Sequence, residues 1–141
     1  MNYKMILRVT SNVLKMEAVL LLLPLLVSFW YQDGMEHAFL YSAGILLLGG
    51  IGLSWVKVKT EIIYAKDGFL MVALAWILIS FFGALPFWFS GFFSSFIDCL
   101  FEAVSGFTTT GASILPAVEH LPPSILFWRC FTHWIGGMGV L

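Results

Sequence analysis

The chain has 141 residues, of which 60% are hydrophobic and 11% charged, against about 45–50% and about 25% in an ordinary soluble domain. The apolar residues come in long uncharged blocks, which excludes a soluble fold and indicates a protein embedded in lipid. The net charge of −1 gives no support for nucleic-acid binding. No nucleophile is paired with a base and no cofactor fingerprint is present, so neither an enzyme nor a cofactor is expected.

Three apolar segments approach the length of about 20 residues that crosses a bilayer. They cover about residues 13–30, 38–56 and 68–89. Pro24 lies inside the first segment, where a membrane helix tolerates proline because neighbours can satisfy the freed carbonyl. Glycine clusters at residues 49–52 and 136–139 are expected to allow close packing between helices.

Two groups of basic residues predict the orientation of these spans. One group precedes the first span and the other follows the second, so both lie on one side, which the positive-inside rule makes cytoplasmic. The groups are Lys4, Arg8, Lys15 and Lys57, Lys59, Lys66. The first segment lacks a small-residue cleavage site and is predicted to be a retained span. Glu17 is expected at the interface near Lys15, the alternative being a carboxylate coupled to transport.

A shorter apolar segment follows the third span. Ser95 and Asp98 fit a capping box, which predicts a helix that starts there and ends near Gly106, about 11 residues or ~16 Å long. This length is about half a bilayer. The prolines at 122 and 123 predict a further helix from residue 124 to 141 that leads back to the cytoplasm.

Residues 108–113, Thr-Thr-Thr-Gly-Ala-Ser, follow the half-length helix. Non-helical backbone at membrane depth persists only where it is buried in protein or lines a cavity or filter. Backbone carbonyls can replace the water around a monovalent cation, and Gly111 permits the backbone angles that aim them at one axis. The segment is therefore interpreted as one wall of a cation-selective pore. An ordinary polar loop between two helices is the alternative.

Arg129 is the single lysine or arginine outside the two cytoplasmic groups. A charge within a membrane helix is costly, which makes this residue a candidate for a functional role. It could form an ion pair with Glu102 behind the filter. Alternatively, it could lie at the outer interface, solvated by water and headgroups.

Two motifs, residues 101–113 (FEAVSGFTTTGAS) and 128–139 (WRCFTHWIGGMG), closely resemble the first pore repeat of the bacterial Trk/Ktr potassium transporter family, in particular its TrkH members. The resemblance implies an all-α integral membrane fold, a helical hairpin followed by one span/re-entrant pore-helix/span repeat. Residues 1–67 would form the amino-terminal two-helix hairpin with its cytoplasmic loop. Residues 68–141 would form the first pore repeat, with an incomplete final span.

The resemblance also implies partners and a location. Members of the family place four such repeats around one pore in the bacterial cytoplasmic (inner) membrane. They are usually homodimers with a cytoplasmic nucleotide-binding regulatory subunit. The expected partners are thus the lipid bilayer, the remaining repeats of a full-length protein, a second copy and that subunit, with no nucleic acid. The amino terminus is expected in the cytoplasm.

For the ion path, the resemblance assigns a filter to four positions and a supporting role to two. The filter positions are Thr108, Thr109, Thr110 and Gly111, with potassium held through Thr109, Thr110 and Gly111. The supporting residues are Glu102 and Arg129. Glycine at position 111 favours potassium, whereas related plant proteins with serine there tend toward sodium. The predicted function is potassium uptake, with this apparently truncated chain supplying one quarter of the filter. A non-conducting membrane scaffold or assembly fragment is the alternative.

Overall fold

The computed structural model describes residues 3–55 and 64–139, and within this part of the chain all regular structure is helical. The helices are α1 Tyr3–Leu20, α2 Leu22–Tyr31, α3 Glu36–Ser54, α4 Ala65–Gly83, α5 Leu85–Ser90, α6 Phe96–Phe107 and α7 Pro123–Gly139. The predictions on Lys57, Lys59, the end of the second span at residue 56 and the end of the last helix at residue 141 lie outside the described residues.

The three predicted spans are present with shifted bounds. Tyr3–Tyr31, Glu36–Ser54 and Ala65–Ser90 are long and apolar enough to cross a membrane. The first begins at Tyr3, well before residue 13, because Ile6, Ser11 and Leu14 of α1 are buried and α1 packs along α3. Tertiary packing thus extends the helix beyond its apolar block.

The first and third spans are each divided into two helices. The first breaks at Leu21, between α1 and α2, and the third breaks at Ala84, between α4 and α5. Pro24 and Pro86 lie in the opening turns of α2 and α5, respectively. Proline lacks the N–H that would bond to the carbonyl four residues earlier, so each proline interrupts the helix that precedes it.

Close packing at the glycine cluster of residues 49–52 is confirmed at Gly50. The Ser11 hydroxyl donates a hydrogen bond of 2.6 Å to the Gly50 carbonyl, which joins α1 to α3. A Cβ at Gly50 would lie 2.9 Å from Cγ of Lys15 and 3.2 Å from the Ser11 carbonyl oxygen. Only glycine therefore allows the two backbones to approach this closely.

α6 is held between α4 and α7. Phe107, the last residue of α6, is buried against Trp128 of α7, with ring centroids 6.4 Å apart. The Trp128 indole donates a hydrogen bond of 3.0 Å to the carbonyl of Gly83, the last residue of α4. The carboxyl-terminal ends of α4 and α6 are thereby fixed at the same place on α7.

Asp33, in the loop between α2 and α3, joins that loop to the start of α7. Its carboxylate accepts hydrogen bonds from the Ser28 hydroxyl at 2.5 Å, the Met35 N–H at 3.1 Å and the Ser124 N–H at 2.9 Å. Burial raises the pKa of this carboxyl, but its contacts with Ser124, Ser28 and Met35 lower the pKa by more. The net pKa of Asp33 lies below its ordinary value.

Asp33 should stabilise the fold in a pH-dependent way. A carboxyl whose pKa is lower in the folded state contributes stability above its unfolded pKa of about 3.9, and that contribution is lost as the pH falls through the folded pKa. We expect Asp33→Asn to lower the melting temperature of the purified full-length protein by a few degrees at pH 7. The difference from the native protein should shrink below about pH 4. Exposed Glu119→Gln is the control, and a gap independent of pH would contradict the assignment.

Candidate functional site

α6 is the predicted half-length helix. Ser95 caps it, with its hydroxyl accepting a hydrogen bond of 3.3 Å from the Asp98 N–H. The helix has 12 residues, which corresponds to about 18 Å. The helix continues through Gly106 and ends at Phe107. A Cβ at Gly106 would collide with the Thr132 side chain of α7. Gly106 therefore serves close packing and does not end the helix.

The backbone after α6 turns its N–H groups back toward the helix. The Thr109 N–H donates to the Gly106 carbonyl at 2.9 Å. The N–H groups of Thr110 and Gly111 both donate to the Ser105 carbonyl, at 3.0 and 3.4 Å. Thr109 and Gly111 have positive φ angles of 58° and 79°. Alternating backbone handedness of this kind lets successive N–H groups converge on one acceptor.

The orientation of the carbonyls follows from these hydrogen bonds. In a planar trans peptide unit the C=O points opposite to the N–H of the next residue. The carbonyls of Thr108, Thr109 and Thr110 must then point away from α6. Among the residues that the structure describes, none donates a hydrogen bond to the carbonyl oxygens of Thr109, Thr110 and Gly111. The loop therefore presents free carbonyl oxygens on an exposed surface.

Side-chain hydroxyls fix both ends of this loop. Ser105 of α6 donates to the Ala112 carbonyl at 2.6 Å, so the free carbonyls stop at Gly111. Thr108 donates to the Val104 carbonyl at 2.6 Å, and its oxygen also lies 2.8 Å from the Thr110 hydroxyl oxygen. The Thr108 hydroxyl thus already bonds within the chain.

The Glu102 carboxylate connects α6, the segment after the loop and α7. One oxygen accepts from the Ser113 hydroxyl at 2.5 Å and the Ile114 N–H at 2.8 Å. The other lies 3.0 Å from Nε of Arg129, with side-chain exposures of 13% for Arg129 and 1% for Glu102. The predicted pairing of these residues is confirmed as a contact, and the alternative of a solvated Arg129 at the interface is wrong.

α7 approaches the end of α6 as closely as backbone allows. A Cβ at Gly136 would collide with the backbone of Phe107, including its carbonyl oxygen. Thr132, which packs on Gly106, donates to the Arg129 carbonyl at 2.7 Å. The close packing predicted for residues 136–139 is therefore confirmed at Gly136.

Sequence reasoning missed several contributors to this site. Ser105 and Ser113 hold the loop, yet a serine in or after a helix carries no distinctive signal. His133 approaches the loop from α7: its Nδ1 lies 2.9 Å from the Arg129 carbonyl oxygen, and its Nε2 would lie 3.9 Å from a Cβ at Gly111. The expected interfacial position of Glu17 is wrong, because its side chain is buried at 3% exposure against Gly83.

A family model described as TrkH, cation transport protein, matches residues 38–141. The chain belongs to the TrkH family. This is a family of transporters and not of enzymes. The three long apolar helices of the chain agree with an integral membrane protein.

Similar proteins of the same family agree with this assignment. The chain is 36% identical to the Trk system potassium uptake protein TrkH of Halomonas elongata and 38% identical to that of Escherichia coli strain K12, each over 100% of the chain and 30% of the relative. The crystal structure of the potassium transporter TrkH from Vibrio parahaemolyticus matches 99% of the chain and 30% of its own length, with a TM-score of 0.94 and 34% identity. The chain thus spans about 30% of the length of these relatives.

The close approach at Gly136 predicts a sharp difference between two adjacent glycines. Gly136→Ala should displace α7 from the end of α6, because the new methyl group meets backbone that cannot move aside. Gly137→Ala is the matched control, since its Cβ would make an ordinary contact 3.9 Å from Cγ2 of Thr109. We expect the Gly136 variant to lose about 1–3 kcal/mol of stability in denaturant unfolding. Equal effects of both substitutions would contradict the packing described.

The Glu102–Arg129 pair predicts non-additive effects on stability. Removing one partner leaves the other charge buried without compensation, at a cost of about 3–5 kcal/mol. Glu102→Gln and Arg129→Gln should each destabilise the full-length protein, and the double variant should lose clearly less than the sum of the two. Unfolding of the four proteins under one condition measures this coupling. Additive losses would show that the two residues act independently.

Proposed function

We propose that this chain forms one quarter of a four-repeat selectivity filter through which potassium is taken up across the bacterial cytoplasmic membrane. In this proposal, Thr108, Thr109, Thr110 and Gly111 line the ion path, and potassium is coordinated by the carbonyl oxygens of the last three. Residues 1–67 act as the amino-terminal hairpin and residues 68–141 as the first pore repeat.

The observation that carries the proposal is the row of free carbonyl oxygens that faces away from α6. A dehydrated cation needs such oxygens, and backbone carbonyls supply them without a full charge that would hold the ion too tightly. The N–H groups that share peptide units with the Thr109 and Thr110 carbonyls both donate to the Ser105 carbonyl. An N–H pointed at the path would repel a cation, so this arrangement favours cations over anions.

The direction of α6 supports the same function. A helix carries roughly half a negative charge at its carboxyl-terminal end. The loop begins at that end of α6, so the partial charge is placed beside the proposed coordination site. Glu102 and Arg129 act behind the loop as supporting residues, and their charges compensate each other.

The names of the relatives support potassium as the transported ion, since two of them are potassium uptake proteins and a third is a potassium transporter. Potassium is the substrate in this proposal, and no cofactor is invoked. The proposed partners are the remaining repeats, a second copy of the protein and a cytoplasmic nucleotide-binding regulatory subunit. The proposed location is the bacterial inner membrane, with a cytoplasmic amino terminus.

The filter assignment predicts the effect of Gly111→Ser. A residue with a Cβ at φ 79° pays about 1–2 kcal/mol for the left-handed conformation. Because this strain distorts the carbonyl row at the proposed ion site, we expect roughly a tenfold loss of potassium preference over sodium, equivalent to about 1.4 kcal/mol between the two ions. The measurement is growth of potassium-uptake-deficient bacteria on limiting potassium, with rubidium and sodium uptake compared in the same cells. The full-length reading frame that contains the chain is expressed.

Gly91→Ser is the matched control for this experiment. Gly91 has a φ of 75°, close to that of Gly111, but it ends α5 outside the loop. It should carry a similar backbone cost and leave ion preference unchanged. Rescue that is indifferent to Gly111→Ser would remove the filter assignment. No rescue by the native full-length protein would favour a non-conducting scaffold.

A further inference from the structure

Glu17 of α1 is a buried carboxyl group without a partner. Its side chain is 3% exposed, and neither carboxyl oxygen has a hydrogen-bond partner among the described residues. It borders a cavity of about 100 Å³ at the junction of α1, α4, α6 and α7. The other residues around this cavity are Val13, Met16, Leu20, Ile79, Phe107 and Ile135. None of these six side chains is polar.

The carboxyl oxygens are enclosed by this chain itself. One lies beside Gly83, where a Cβ would approach Oε1 to 3.2 Å, and the same Cβ would collide with the Phe107 ring. Neither oxygen is accessible from outside. Both oxygens are covered by the packing between α1, α4 and Phe107.

The charged groups on the neighbouring helices are directed elsewhere. Lys15 of α1 packs against Gly50 of α3, and Glu102 of α6 is bound to Arg129 of α7. His133 of α7 lies against the Arg129 carbonyl. The remaining charged groups on these helices lie away from Glu17 in sequence or toward the ends of the spans. These are Lys4 and Arg8 of α1, Glu36 and His37 of α3, Lys66 and Asp67 of α4, and Asp98 of α6.

We propose that Glu17 is a proton-binding site, and that release of its proton loosens the packing around Phe107. This in turn loosens residues 108–113, the filter loop. The proposal rests on the function proposed above. A carboxylate without a hydrogen-bond donor or a counter-charge from the protein is strongly disfavoured in an apolar environment. The packed arrangement described here therefore holds the neutral acid. Losing the proton creates a charge that must be reached by water, which requires the surrounding side chains to separate.

Phe107 connects Glu17 to the proposed filter. Phe107 is buried at 1% exposure between Gly83 and Gly136, and its ring shares the cavity with Glu17. The next residue is Thr108, at the start of the loop. Displacement of Phe107 would shift the carboxyl-terminal turn of α6, whose Ser105 and Gly106 carbonyls accept the N–H groups of that loop.

The proton site is tested directly by infrared spectroscopy of the full-length protein in lipid vesicles across a pH series. A band from a protonated carboxylic acid is expected that persists at neutral pH and disappears in Glu17→Gln and Glu17→Met. The band should survive in Glu36→Gln, a carboxyl in the first turn of α3. Absence of a band that depends on Glu17 would overturn the proposal. This measurement does not depend on ion transport, so it remains decisive even if the protein proves not to conduct potassium.

The coupling is tested by rubidium flux into the same vesicles. Full linkage to one proton changes an equilibrium constant by about tenfold per pH unit. Flux through the native protein should therefore fall by about fivefold in the first pH unit above the point where the infrared band is half lost, and by about tenfold in the next unit. Glu17→Met should keep the high flux at every pH, because it replaces the neutral acid with an apolar side chain of similar size. An unchanged pH profile in this variant would overturn the coupling.

Discussion

The Glu102 carboxylate is the interaction on which the arrangement of the loop depends. It accepts hydrogen bonds from the segment after the loop and forms the ion pair with α7, so one side chain sets the distance between three parts of the chain. Ser105 lies three residues later on the same face of α6, and it binds the Ala112 carbonyl. These two side chains make the returning segment run back along the helix from which it came. Without them, the exposed loop would be held only by its hydrogen bonds to the backbone of the last turn of α6.

The packing around Phe107 supplies the second constraint. Glycines on two different helices, Gly83 and Gly136, leave the space that Phe107 occupies, and the Trp128 indole closes one side of it. Protein interiors are close-packed, so the contacts of this residue with α4 and α7 resist small displacements and transmit larger ones. The filter loop starts immediately after this ring. The position of this loop is therefore set by side chains that lie outside the proposed ion path.

Local signals predicted much of this fold. The apolar blocks predicted three spans, and the Ser95 cap predicted the start of α6, because both depend on residues close in sequence. Gly111 predicted a backbone that could aim its carbonyls at one axis. The sequence did not predict that the N–H groups of Thr110 and Gly111 bind the Ser105 carbonyl and so orient these carbonyls. Contacts between helices were harder to predict from the sequence. The Arg129 pair remained one of two alternatives, because a sequence does not give the rotation of α7 relative to α6. Glu17 was misplaced for the same reason, since only packing by α4 and Phe107 buries it.

The hydrogen bonds that shape the loop all come from residues 102–129 of one chain. Its backbone donors are turned inward, so its carbonyl row takes shape without help from a neighbouring repeat. In the proposed four-repeat filter, neighbouring repeats would then set the spacing between facing walls and leave the wall chemistry unchanged. Two properties of a pore are thereby separated: affinity for a bare cation follows from each wall, and the width that sorts ions by size follows from assembly. Changes at contacts between repeats can alter the second property without altering a single coordinating atom.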